Sequence, residues 1–282
     1  MLASIASIAY FGLPLGTDFT GGTLIQATYP AGRPAPEVLQ TSLEAAGFKG
    51  YSVREAGGND YVIRTANLTD TERSALPQTL SAGNQYPATI GQLSDVGPTL
   101  GNEMRNKAVA ALALVVLCIV LFIAFAFREV SKPISSWVYG LIALVALLHD
   151  VIVPIGFYAA LAHFTNAEVD SLFVTAVLTV LGFSIHDTIV VFDRVRENLH
   201  SGRNHKESFA ETAGRSLSQT FVRSINTSLT VVFTLFVLFW LGPASTRDFA
   251  LTLLVGIIAG TYSSVFLATP LLVAVERSQA KK

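Results

Sequence analysis

Ionisable side chains interrupt two otherwise apolar stretches: the neighbours His149 and Asp150 in Leu147-Leu148-His149-Asp150-Val151-Ile152, and the neighbours His186 and Asp187 in Gly182-Phe183-Ser184-Ile185-His186-Asp187-Thr188-Ile189-Val190-Val191. A charge at the centre of a bilayer costs about 2.5–3.5 kcal/mol on insertion scales, and more by other estimates. A carboxylate persists there only when it is neutral, paired or wetted, and each of those states suits ion or proton handling. Arg223 and Asn226 stand in the first turns of a later apolar block, and Ser184 and Thr188 flank Asp187 with hydroxyls. On helix geometry Asp187 sits roughly 10 Å inward from Arg194, and Arg223 roughly 12 Å along from Arg215. Similar depth on adjacent spans predicts an Asp187–Arg223 pair. A carboxylate whose cationic partner moves away takes up a proton, and releases it when the partner returns. Ser184, Thr188 and Asn226 could relay or solvate that proton.

Plainer alternatives exist for each residue. Arg223 could snorkel to the interface. Asp187 and Asp150 could be hydrogen-bonding glue between helices, and His149 and His186 merely hydrogen-bonded. Pro154, four residues after Asp150, frees a backbone carbonyl in the same block. Two His-Asp pairs could in principle make a metal site, but adjacent residues point about 100° apart on a helix, so four donors do not face one point. Ser184 lacks the context of a protease nucleophile. His200 and His205 lie in a basic loop, where solvation is expected. The single cysteine, Cys118, lies in an apolar block, so neither a disulfide framework nor a cysteine metal motif is present.

These residues need helices long enough to cross a membrane. The 282-residue chain is 51% hydrophobic and only 14% charged, with a mean hydropathy of +0.51. Soluble domains carry about 25% charged residues. A net charge of −1 gives no sign of nucleic-acid binding. The apolar residues gather into five long blocks, roughly Ala108–Phe127, Trp137–Leu161, Leu172–Phe192, Phe221–Leu241 and Phe249–Val275. Residues 1–15 form a shorter apolar block, read as a first helix whose start is missing or misassigned, which brings the expected spans to six. It lacks the basic region and cleavage site of a signal peptide. Gly256, Gly260 and Ser264 recur every four residues in the last block, a spacing that permits close helix approach.

Residues 17–106 are mixed and turn-rich. Gly22–Tyr29 alternates as a strand, and Pro34–Ala46 reads as a helix with Val38, Leu39, Leu43 and Ala46 on one face. Tyr51–Glu55 and Tyr61–Thr65 read as strands joined through Gly57-Gly58-Asn59-Asp60. Thr69-Asp70-Thr71-Glu72 starts a helix to Leu80, and Pro87–Val96 is a last strand. The order βαββαβ is the ferredoxin-like split motif. The expected domains are a first helix over 1–16, a ferredoxin-like domain over 17–106, a five-helix bundle over 107–277 and a tail over 278–282. Arg128 and Lys132, then Arg194, Arg196, Arg203, Lys206 and Arg215, then Arg277, Lys281 and Lys282 crowd one set of connections; the opposite short loops hold only Arg247. Positive charge stays inside, so both termini are expected in the cytoplasm and the 17–106 domain on the exported side.

Several motifs then resemble one family in order along the chain. Gly16-Thr17-Asp18-Phe19-Thr20-Gly21-Gly22-Thr23 is similar to the signature of the SecD/SecF family, on its SecF side. Val96-Gly97-Pro98, Leu147–Ile152, Gly182–Asn198 and Gln219–Ser228 match as well. The resemblance implies an RND-superfamily membrane fold, and a subunit that works with SecD beside the SecYEG translocon of the bacterial cytoplasmic membrane, with YajC or YidC as further partners. It implies use of the proton-motive force to pull unfolded preproteins out late in export, with no chemical catalysis and no cofactor. The family's proton-pathway Asp and Arg fall on Asp187 and Arg223, with Asp150 as a further candidate, and a carboxylate among hydroxyls suits Na⁺ as well as a proton. His186 stands where family members usually have Asn, which adds a titratable group beside Asp187. The competing readings are a half-size RND exporter of a small molecule or lipid, and a scaffold that stabilises the translocon without coupling.

Overall fold

The computed structural model describes residues 1–128, 134–165, 167–200, 207–243 and 246–280. Lys132, Arg203, His205, Lys206, Lys281 and Lys282 lie outside the described residues. The elements run α1 (Leu2–Phe11), α2 (Thr17–Thr20), β1 (Gly22–Thr28), α3 (Pro36–Ala45), β2 (Ser52–Glu55), β3 (Asp60–Thr65), α4 (Asp70–Leu80), β4 (Thr89–Val96), α5 (Pro98–Ala126), α6 (Ser136–Thr165), α7 (Ser171–His200), α8 (Phe209–Leu241), α9 (Arg247–Ser263), a π-helical segment (Ser264–Ala268) and α10 (Thr269–Ala280). They divide into two compact units. One holds Met1–Tyr10, Ala110–Tyr158 and Phe173–Lys282; the other holds Phe11–Val109 and Ala159–Leu172.

The second unit contains the expected ferredoxin-like sheet. Its strands are ordered β2-β3-β1-β4 and every pairing is antiparallel. Alternation along β1 and β3 puts Ile25, Ala27, Tyr29, Tyr61 and Ile63 in the core against Leu39 and Leu43 of α3 and Leu76 and Leu80 of α4. Both tyrosines satisfy their hydroxyls inside that core, Tyr29 donating to the Leu80 carbonyl at 2.9 Å and Tyr61 to that of Pro34 at 2.7 Å. Burial pushes the Tyr29 phenol up to about 12. Thr69 and Glu72 close a reciprocal capping box at the start of α4, as the Thr-x-x-Glu spacing predicts. The Gly57-Gly58 hairpin forms because both residues adopt positive φ, 52° and 54°. The sequence-predicted ends shift by a residue or two, as helix ends and strand starts commonly do.

The first unit is helical. Among the described residues five helical stretches are long and apolar enough to cross a membrane, the last of them running through the π segment to Gln279. The sixth expected span appears only as the ten-residue helix α1, shorter than the ~20 residues a span needs. Helices α5 and α8 begin well before their apolar blocks, at Pro98 and Phe209: Pro98 suits a first helical position, and Ser208 and Glu211 close a capping box before Phe209. Arg223 and Asn226 therefore lie deep within α8, not in its first turns. Pro154 stands inside α6, removing the N–H that would bond the Asp150 carbonyl. A stacked pair, Phe127 on Tyr139 at 5.2 Å, meets the edge of Phe192 and anchors the core between α6 and α7.

Candidate functional site

Small residues set how closely the helices approach. A methyl group at Gly256 would overlap the side chain of Val180, and one at Gly260 would stand 3.0 Å from Ser184 Cβ. Both contact pairs are four residues apart, so the small-residue stripe of α9 lies along the Val180–Ser184 turn of α7. That approach carries the hydroxyls of α9 to the two carboxylates.

Asp150 is fully buried. Three side chains converge on it: His149 Nδ1 faces Oδ1 at 2.8 Å, while Ser263 Oγ at 2.6 Å and Ser184 Oγ both donate to Oδ2. The site thus joins α6, α7 and α9, and Ser263 is the last residue before the π-helical turn. Such turns widen a helix and are common at functional positions. Thr269 Oγ1 reaches the Ser264 carbonyl within this widened turn, at 3.0 Å.

Asp187 is also buried, 6% exposed, but is bonded more sparsely. Ser228 Oγ on α8 donates to its Oδ2 at 3.2 Å, and Thr261 Oγ1 on α9 donates to Ser228 Oγ at 2.7 Å. A cavity of about 10 Å³ opens beside it, lined by Ser184, His186, Asp187, Thr227, Ser228 and Thr261, with Phe183 and Ile257 completing the wall. That volume is close to the minimum for one water molecule. Ser184 belongs to both sites, since it lines the Asp187 cavity and bonds Asp150. Thr188 is buried one turn on, its hydroxyl directed to the Ser184 carbonyl at 3.4 Å.

The expected Asp187–Arg223 pair is not formed. Arg223 is exposed on α8, and no ion pair joins it to Asp187 among the described residues. Asn226 is likewise exposed on α8. Depth had suggested the pair, but helix rotation decides it: Ser228 faces α7, and residues two and five positions earlier point elsewhere. Ser228, Thr261 and Ser263 were missed because a hydroxyl in an apolar helix usually bonds its own preceding turn, which gives no sequence signal. His186 lines the same cavity.

The end of α7 nearest the basic loop is fastened by the Phe192–Asn198 motif. Arg194 Nε donates to Gln219 Oε1 of α8 at 2.6 Å, and Asn198 Nδ2 donates to Ser216 Oγ at 2.7 Å. These bonds fix the rotation that brings Ser228 to Asp187.

A sequence profile described as "Protein export membrane protein SecD/SecF, C-terminal" matches residues 78–278, and one described as "SecD/SecF GG Motif" matches residues 6–29. The chain belongs to the SecD/SecF family. Its relatives in that family fall on the SecF side. "Protein translocase subunit SecF" of Thermobaculum terrenum is 44% identical over 94% of this chain and 86% of its own length. The SecF of Anaerolinea thermophila is 36% identical over 99% of this chain and 90% of its own. A crystal structure of SecDF, a translocon-associated membrane protein from Thermus thermophilus, superposes with a TM-score of 0.85 at 31% identity. It covers 98% of this chain, which spans 36% of that longer chain. Family membership and the apolar helices make this a multi-pass protein of the bacterial inner membrane.

Proposed function

We propose that this SecF-type subunit of Sec translocation acts with SecD beside the SecYEG channel, drawing on the proton-motive force through Asp187 late in export. The observation that carries the reading is Asp187 itself: a buried carboxylate on a membrane-spanning helix, bonded by the Ser228 hydroxyl and opening on a water-sized cavity. A group placed so can gain and lose a proton without dismantling its surroundings. Asp150, with its three side-chain contacts, is the fixed partner of the pair, and Ser184 links the two.

Arg223 and Asn226 keep their roles on a different footing. Polar residues exposed on a membrane helix are costly against lipid, and are expected to face protein or water. The face of α8 that carries them is the one offered to SecD, so the cation that modulates Asp187 acts when the partner closes against it. In this reading both termini are cytoplasmic, the ferredoxin-like domain is exported, the moving ion is a proton, and no chemical bond in the preprotein changes.

The test is Asp187→Asn in vesicles that contain the translocon, SecD and this chain. Export driven by an imposed pH gradient should fall at least tenfold, with complex formation unchanged. Normal export with Asn at this position would refute proton coupling and leave the scaffold reading. Loss of export that follows a Na⁺ gradient instead would refute the choice of ion.

A further inference from the structure

The motif over residues 16–23 has a structural task outside the bilayer chemistry. Gly16 N–H donates to the Val169 carbonyl at 2.7 Å, and Val169 N–H donates to the Pro14 carbonyl at 2.7 Å. Leu15 and Val169 thereby pair as a short parallel bridge. Asp18 Oδ2 accepts the N–H of Ser171, the first residue of α7, at 2.8 Å, across 153 residues of sequence. A helix N-terminus leaves its first N–H groups without intrahelical partners, and a carboxylate there also meets the positive end of the helix dipole.

The same connection is fastened to the sheet. Glu168 Oε2 pairs with Arg64 Nη1 of β3 at 2.9 Å, and its Oε1 accepts from Ser52 Oγ of β2 at 3.3 Å. Arg64 is only 8% exposed, so this pair is shielded from solvent. The two glycines close the other side. A methyl at Gly21 would stand 2.8 Å from Pro98 Cα, and one at Gly22 would stand 2.5 Å from the Thr65 carbonyl oxygen, with φ of +80° and +134°. Gly101 of α5 in turn abuts Gly21 and Phe19. The start of β1, the start of α5 and the start of α7 therefore meet at one knot, all within one compact unit.

We propose that this knot is a permanent mechanical joint, with Asp18 as its positioning residue, that binds the first turn of α7 to the exported sheet. Helix α7 runs unbroken from Ser171 to His200 and carries Asp187. A displacement of α7 that follows the charge state of Asp187 is then delivered to the exported domain, and not absorbed in the connection before Ser171. This rests on the proton-coupling reading of Asp187, and the two fail differently.

Two experiments test it in vesicles holding the translocon, SecD and this chain. Paired strand residues stand about 4.7–4.9 Å apart, within the roughly 4.4–6.8 Å that a disulfide spans. In a Cys118→Ala background, Leu15→Cys with Val169→Cys should cross-link on oxidation with export changed less than twofold. Arrest of export by the cross-link would overturn the proposal, because the joint would then have to open. Asp18→Ala should uncouple: proton movement persists while export falls, so protons moved per chain exported rise at least fivefold, and Asp18→Asn, which keeps the acceptor oxygen, should restore the ratio. An unchanged ratio in Asp18→Ala overturns the proposal. Loss of proton movement belongs instead to Asp187→Asn. If Asp18→Ala fails to assemble, the cross-link alone decides.

Discussion

Asp150 gives an energetic test that needs no export assay. One oxygen, Oδ2, accepts hydroxyls from Ser184 on α7 and Ser263 on α9, while His149 faces the other. A hydrogen bond to a charged group contributes about 1.5–3 kcal/mol in soluble proteins, whereas bonds between membrane helices average about 0.6 and reach about 1.7 kcal/mol. Deleting one hydroxyl leaves the other on the same oxygen, so Ser184→Ala and Ser263→Ala should each cost about 1 kcal/mol. Deleting both strips that oxygen of a fully buried carboxylate, and breaking a buried charge's partnership costs about 3–5 kcal/mol. The double variant should therefore lose about 1–3 kcal/mol more than the sum of the singles. Reversible unfolding of the detergent-solubilised protein, compared across native, single and double variants, measures this coupling. A double variant within about 0.5 kcal/mol of the sum would show that the two serines do not share one oxygen.

The helix contact at Gly256 should behave as a steric pair: Gly256→Ala overlaps Val180 and should cost about 1–3 kcal/mol in the same unfolding assay, and Val180→Ala in the same chain should recover most of it. In the ferredoxin-like domain, the Thr23 hydroxyl, at 2.5 Å, and then Arg73 hold the Asp95 carboxyl below the usual carboxylate range. A lowered folded value means that its stabilisation is complete above the ordinary carboxylate value of about 3.9 and is lost as pH falls through the folded value. Amide exchange across β1 and β4 should accordingly rise in that acid window, and should lose this part of its pH dependence in Asp95→Asn. Tyr29→Phe should cost the domain about 1 kcal/mol, because the buried Leu80 carbonyl loses its donor, read as faster exchange in α4.

Much of this protein is legible from residue order. Period-2 alternation in Gly22–Thr28 and Asp60–Thr65, the Thr69–Glu72 box and the Gly57-Gly58 turn specify the ferredoxin-like domain, because each is a local preference satisfied by near neighbours. Apolar run length specifies the membrane helices, because a bilayer tolerates no unpaired backbone. The cost of a buried charge likewise singles out Asp150 and Asp187 without any structure. What the sequence could not supply is rotation about each helix axis. Depth fixed by 1.5 Å per residue put Arg223 level with Asp187, but depth says nothing about direction. Tertiary packing, through Gly256 and Gly260 against α7 and Arg194 and Asn198 against α8, turns Ser228 and not Arg223 toward Asp187. The same packing gathers Ser184 and Ser263 on Asp150, and ties Asp18 to Ser171 across 153 residues. These partners are far apart in the chain, so only the folded geometry could choose them.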